Sequence, residues 1–161
     1  MVEITIVKVE SGPHRAVVDR PGAEVVQFAV YDYGPMLPHD LLHYVVEDQL
    51  GLEFGFWGLV CAGAKLQSVQ AYGARDPRRI PQQDDPLVTA HIDELLTAEG
   101  IVAAFSGLPG SESKPELDPD QIQRIRSRIT ELNERWQATP PGEMLRLRWP
   151  GDNRKPGDHQ G

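Results

Sequence analysis

His39 and His43 stand four positions apart, Asp40 lies between them, and Glu47 follows four positions later. On an α-helix this spacing stacks side chains one turn apart. Two imidazoles then converge on one cation and a carboxylate follows on the next turn. On a helical wheel His39, His43, Glu47 and Asp40 share a stripe roughly 100° wide. Leu41, Leu42, Val45, Val46 and Leu50 fill the apolar side, so the stripe runs along the rim of the buried face, where a half-buried metal site belongs. The geometric logic is that of H-E-x-x-H zinc helices. Imidazole with carboxylate suits Zn²⁺ first, and also Fe²⁺ or Mn²⁺. The residues assign His39, His43 and Asp40 to the metal, with Asp40 a ligand or a group that orients a histidine, and Glu47 an oxygen ligand or general base. The competing reading is a polar helix edge whose two histidines are satisfied by neighbours.

Glu47 and Asp48 fall in the last turn of that helix. There the helix dipole disfavours negative charge by about 0.3–1 kcal/mol each. A compensating positive partner is expected, either a bound cation or a salt bridge from another element.

His39-Asp40-Leu41-Leu42-His43 resembles the H-D-x-x-H zinc motif of the coenzyme Q biosynthesis family. The resemblance implies a metal bound by the two histidines and the aspartate, completed by a glutamate that follows the second histidine after eleven residues. Here that position is Gly55, and the nearest acids are Glu47 and Glu53. The likeness spans five residues, and that family is largely helical, whereas this chain opens with strands. His39-Asp40 also resembles the H-D pair of metal-dependent phosphohydrolases, which need a further histidine upstream. His14 is upstream, but on an expected strand.

Two more places carry chemistry. His91 sits at the edge of the apolar face of a later helix and Glu99 near its centre, and either could reach across to the His39–Glu47 helix. Arg75, Arg78 and Arg79 form the one basic cluster, inside a segment from Lys65 to Asp85 with no clear period. That segment is either a solvated loop or a lid whose arginines grip an anionic ligand. Other chemistries lack their residues. Gly107-Leu108-Pro109-Gly110 fits neither dinucleotide nor P-loop spacing, and no G-x-S-x-G elbow occurs. Cys61 lies in an apolar run without a flanking base or cation and reads as a small hydrophobe.

The elements that must position these residues are legible from alternation and punctuation. Val2 to Glu10 alternates as a half-buried strand. A second strand spans His14 to Asp19, and a third lies around Glu24 to Tyr31 after the turn Arg20-Pro21-Gly22. Pro38 opens the histidine helix at its first turn, Leu50 closes it, and Gly51 supplies the left-handed cap. Phe54 to Ala64 is apolar all round and reads as a buried helix, with small residues at Gly58 and Ala62 allowing close approach. Asp85-Pro86 caps a helix with Val88, Ile92, Leu95 and Leu96 at helical spacing. Gly100 ends or interrupts it, and Ile101 to Phe105 continues briefly. Asp118-Pro119 starts the longest helix, where Ile122, Ile125, Ile129, Leu132 and Trp136 form a narrow seam. The seam favours a helix lying across the sheet, with a homodimer contact through 118–137 as the alternative. Met144 to Trp149 alternates again and should join the N-terminal sheet. The expected architecture is α+β: an N-terminal antiparallel meander plus a C-terminal strand, packed by three to four helices. A single domain should span 1–149, followed by a disordered tail over 150–161.

Bulk properties bound the function. The chain has 161 residues, 40% of them hydrophobic, which suits one core, and a net charge of −8, which repels phosphate backbones and anionic membranes. One cysteine excludes an intrachain disulfide. Met1-Val2-Glu3-Ile4 lacks the start of a signal peptide, and the Phe54 to Ala64 run is too short to span a bilayer, so a cytoplasmic protein is expected. Two functions fit: a divalent-metal-binding protein or metalloenzyme acting on a small molecule, or a non-catalytic dimeric or partner-binding module in which the histidine stripe is structural.

Overall fold

Alternating β-branched residues put one face of each strand in the core. The computed structural model describes residues 1–32, 37–64, 66, 70–71, 85–106 and 116–150. β1 (Val2–Val7) buries Val2, Ile4 and Ile6, β2 (His14–Asp19) buries His14, Ala16 and Val18, and β3 (Val26–Val30) buries Phe28 and Val30. Gly22 takes φ +74 and Ala23 N–H donates to Arg20 O at 3.1 Å, which is the Pro-Gly turn expected between β2 and β3. β4 (Gln70–Ala71) adds two residues to the free edge of β3, and β5 (Met144–Trp149) returns to pair with β1. The described sheet is antiparallel throughout, in the order β4-β3-β2-β1-β5. Its outer face exposes Glu3, Arg15, Asp19, Arg146 and Arg148.

Helices cover the other face. α1 (His39–Leu50) buries Leu41 to Glu47 without a break. Tyr44 reaches the sheet, donating its hydroxyl to Arg148 O at 2.8 Å. Pro38 is the N-cap of α1 rather than its first helical residue, and Gly51 caps the far end at φ 66. α2 (Phe56–Ala62) is shorter than the apolar run that encodes it, because Gly55 and Gly63 cap it on either side. Gly58 does permit a close approach, but by the chain's own loop: a Cβ there would collide with the Glu53 carbonyl.

The chain breaks at His91 rather than at Gly100. Asp85 caps α3 (Pro86–Ala90) by accepting from Leu87 and Val88 N–H, His91 closes it, and α4 (Ile92–Ser106) runs through Gly100 unbroken. The break resets the buried face. Ala98, Ile101 and Val102 turn inward against α1, while Ile92 and Leu96 are exposed. α5 (Pro119–Ala138) starts with a full capping box between Asp118 and Gln121. Its seam packs inward: Ile125, Leu132 and Trp136 are fully buried, and Trp136 meets the His14 ring at 4.8 Å.

The architecture is α+β, with five helices among the described residues where three to four were expected. The segment with Arg75, Arg78 and Arg79, and positions 151–161 of the expected tail, lie outside the described residues. No described helix is long and apolar enough to cross a membrane.

Candidate metal centre

α1 presents His39 on its first turn and His43 on the next. Pro38 offers no side-chain cap, but its carbonyl accepts from Leu41 and Leu42 N–H at 2.9 and 3.0 Å, which closes the first turn behind His39. The imidazoles meet edge to face, 4.9 Å between centroids. Packing of α4 on α1 then brings Glu99 between them. Its Oε1 lies 3.2 Å from His43 Nε2 and its Oε2 lies 3.7 Å from His39 Nε2. One ligand atom from each of His39, His43 and Glu99 falls within 4.8 Å of the other two. The His43 side chain is 2% exposed, but those of His39 and Glu99 are 39% and 48% exposed. The cluster therefore has a buried floor and an open rim.

The charges in the cluster act on one another. The imidazoles of His39 and then His43 beside it hold the Glu99 carboxyl well below the usual carboxylate range. Burial alone would lower His43, but hydrogen bonds to Glu47 and Glu99 override it, and the imidazole is pushed up to about 9. Such a group accepts a proton or a metal ion in the same place.

Asp40 is not part of the converging set. It lies three positions from His43 and its carboxyl feels both imidazoles, but the three converging ligand atoms come from His39, His43 and Glu99. The Asp40 backbone carbonyl accepts Trp57 Nε1–H at 2.7 Å. Burial raises the Asp40 carboxyl, while the charges of His43 and His39 pull it down.

Glu47 departs further from expectation. It is fully buried and points away from Glu99, into the start of α2. Oε2 lies 2.9 Å from His43 Nδ1 and accepts Phe56 N–H at 2.8 Å. Oε1 accepts Trp57 N–H at 2.9 Å and Gly58 N–H at 3.4 Å. The positive partner expected near the end of α1 is therefore the N-terminal end of α2 together with His43. Burial raises the Glu47 carboxyl, and His43 with these N–H groups opposes the rise. With donors on both oxygens and no exposed surface, Glu47 stands outside the three converging ligand groups.

Of the two residues expected as candidates to cross to α1, Glu99 does and His91 does not. His91 stacks on Phe54, 3.6 Å between centroids, and Glu53 N–H donates to Glu94 Oε1 at 3.1 Å, so the loop ahead of α2 is clamped to the start of α4. The sequence signal for Glu99 was an acid on an apolar helix face, flanked by Ala98 and Val102. His14 belongs to a different cluster: its Nδ1 accepts Val9 N–H at 3.1 Å and its Nε2 lies 3.6 Å from Asp32. No protein-family model, curated protein or solved structure matches the chain.

Proposed function

We propose that the chain is a divalent-metal-binding protein, with the ion held by His39, His43 and Glu99, and that it works as a metalloenzyme on a small molecule. The observation that carries this reading is the convergence of three ligand atoms from two helices within 4.8 Å. Two imidazoles and one carboxylate make a donor set used by catalytic zinc and by non-haem iron, in which the protein leaves coordination positions for substrate or water. Zinc is the first choice, with iron or manganese as alternatives. Bound there, the ion would supply Lewis-acid polarisation of a substrate oxygen. The exposed edges of His39 and Glu99 favour such access, whereas a purely structural ion is usually closed off by four protein ligands. Three carboxylates at or beside the cluster and a net charge of −8 favour a neutral or cationic small molecule over nucleic acid. A cytoplasmic setting fits the single cysteine.

Elemental analysis of protein purified without tag or chelator tests the reading. About one equivalent of zinc, iron or manganese is expected, and His43→Ala or Glu99→Gln should reduce it to background. Full metal content in His43→Ala, or no uptake when each ion is offered to the wild type, would sink it.

A further inference from the structure

Glu47 is the most completely buried charged side chain among the described residues, yet the three converging ligands do not include it. A short polar residue at position 55 could cap α2 locally, as Ser, Thr, Asp or Asn does at most helix starts. Instead that position is Gly55, and a Cβ on it would overlap the Glu47 carboxylate. The chain thus leaves room for a carboxylate delivered from α1. What this arrangement adds over a local cap is the contact at His43 Nδ1, 2.9 Å away. An acceptor at Nδ1 keeps the proton there and presents the lone pair of Nε2 toward Glu99 and His39. Metal-bound histidines are commonly oriented in this way by a carboxylate behind them.

We propose that Glu47 is the positioning residue of the metal centre, and that through it metal loading and the docking of α2 are coupled. This rests on the metal reading above. One carboxylate is shared between the ligand imidazole and the backbone N–H groups of Phe56, Trp57 and Gly58. An ion on Nε2 draws electron density from the ring and makes the Nδ1 proton a better donor to Glu47. The carboxylate is thereby held more firmly over α2. By linkage the effect is mutual: if the metal tightens the docking of α2, docked α2 tightens the metal by the same factor. α2 and the loop before it are the elements whose order this ion would set.

The test uses the full chain and Zn²⁺. Zn²⁺ affinity is measured by dye competition for wild type, Glu47→Gln, Gly55→Ala and Glu99→Gln. Co²⁺ replaces Zn²⁺ for visible spectra, and amide exchange is followed at Phe56, Trp57 and Gly58. Gly55→Ala displaces the carboxylate without touching any proposed ligand. Glu47→Gln and Gly55→Ala are expected to weaken Zn²⁺ by about 10–100-fold and to move the Co²⁺ bands. Glu99→Gln should weaken Zn²⁺ and remove the slowing of exchange that Zn²⁺ brings to the wild type. In the wild type, Zn²⁺ should slow exchange at all three amides. Folded Glu47→Gln and Gly55→Ala with wild-type affinity would overturn the coupling and leave the metal reading intact, as would wild-type exchange indifferent to Zn²⁺. Wild-type protein that takes up no metal removes both. If the two variants do not fold, wild-type exchange decides.

Discussion

His43 faces an acid on each nitrogen, and the two acids differ in what they can release. Glu47 is locked on Nδ1 by three backbone N–H groups, whereas Glu99 is half exposed and meets Nε2 from another helix. An incoming ion therefore competes with the proton on Nε2, and the competition has a sign. In the unfolded chain His43 titrates at about 6.5, and in the folded protein it is pushed up to about 9. A raised imidazole favours folding fully below the lower value, and that contribution is lost as pH rises through the upper one. The melting temperature of chelator-treated protein should accordingly fall between pH 6.5 and about 9. Zn²⁺ affinity should rise across the same window by up to about tenfold per pH unit, because one proton leaves as the metal enters. Melting curves and affinities on one pH series check both. Parallel rather than opposed trends would show that His43 Nε2 is not where the metal competes. At this scale the pairing of His39 with His43 was legible from spacing, and Glu99 from an acid on an apolar face. The placement of Glu47 against α2 was not legible, because a helical wheel shows which residues share a stripe but not that a second helix start would draw one of them inward.

Helices and strands that alternate cleanly were legible, and those bounded by small residues were not. β1, β2 and β5 follow their period-two pattern, and α5 follows its cap and its seam. The seam is the core side of α5, with Ile125, Leu132 and Trp136 buried and Ile122 and Ile129 half-buried. Leu132→Ala should cost about 2–5 kcal/mol through the cavity it leaves, while Glu131→Ala on the outer side should change stability by less than about 0.5 kcal/mol. Urea midpoints at several protein concentrations would measure both, and a concentration-dependent midpoint would favour the homodimer contact through 118–137. α3 and α4 were harder because a glycine inside a helical pattern reads as a stop, yet α4 passes through Gly100 and breaks at His91 instead. Stacking of His91 on Phe54 fixes that break through a partner distant in sequence, which no local pattern reveals. Gly100 has open space where a Cβ would stand. Gly100→Ala should therefore stabilise the protein by about 0.5–1 kcal/mol, since alanine loses less backbone freedom in a helix. A lowered melting temperature would mean that position 100 makes a contact that alanine disturbs.

Across the whole molecule, the candidate site is also a tie between layers. α1 lies on the sheet and α4 lies on α1, and the two histidines come from the inner helix while Glu99 comes from the outer one. The pairing of β4 with β3 is a two-residue contact that periodicity could not reveal. The join between α1 and α4 was unreadable for a related reason: only the fold decides which helix faces cross. An ion held across that join binds the folded chain and not the unfolded one, so it must stabilise the fold by mass action. At a free Zn²⁺ concentration about a hundred times its dissociation constant, the gain is about 2.7 kcal/mol. For a chain of this size each kcal/mol raises the melting temperature by about 2–4 °C, so saturation should raise it by about 5–10 °C. Chelator should reverse the shift. Glu99→Gln separates this tie from unspecific binding of zinc to an acidic surface, because it removes one ligand and leaves the net charge almost as negative. In that variant the melting temperature of chelator-treated protein should fall at neutral pH, because Glu99 helps to hold the His43 imidazole up, and the Zn²⁺-dependent shift measured from that new baseline should shrink to within error. A Zn²⁺-dependent rise that survives Glu99→Gln undiminished would mean that the ion binds elsewhere, and that α4 is held to α1 by its apolar contacts alone.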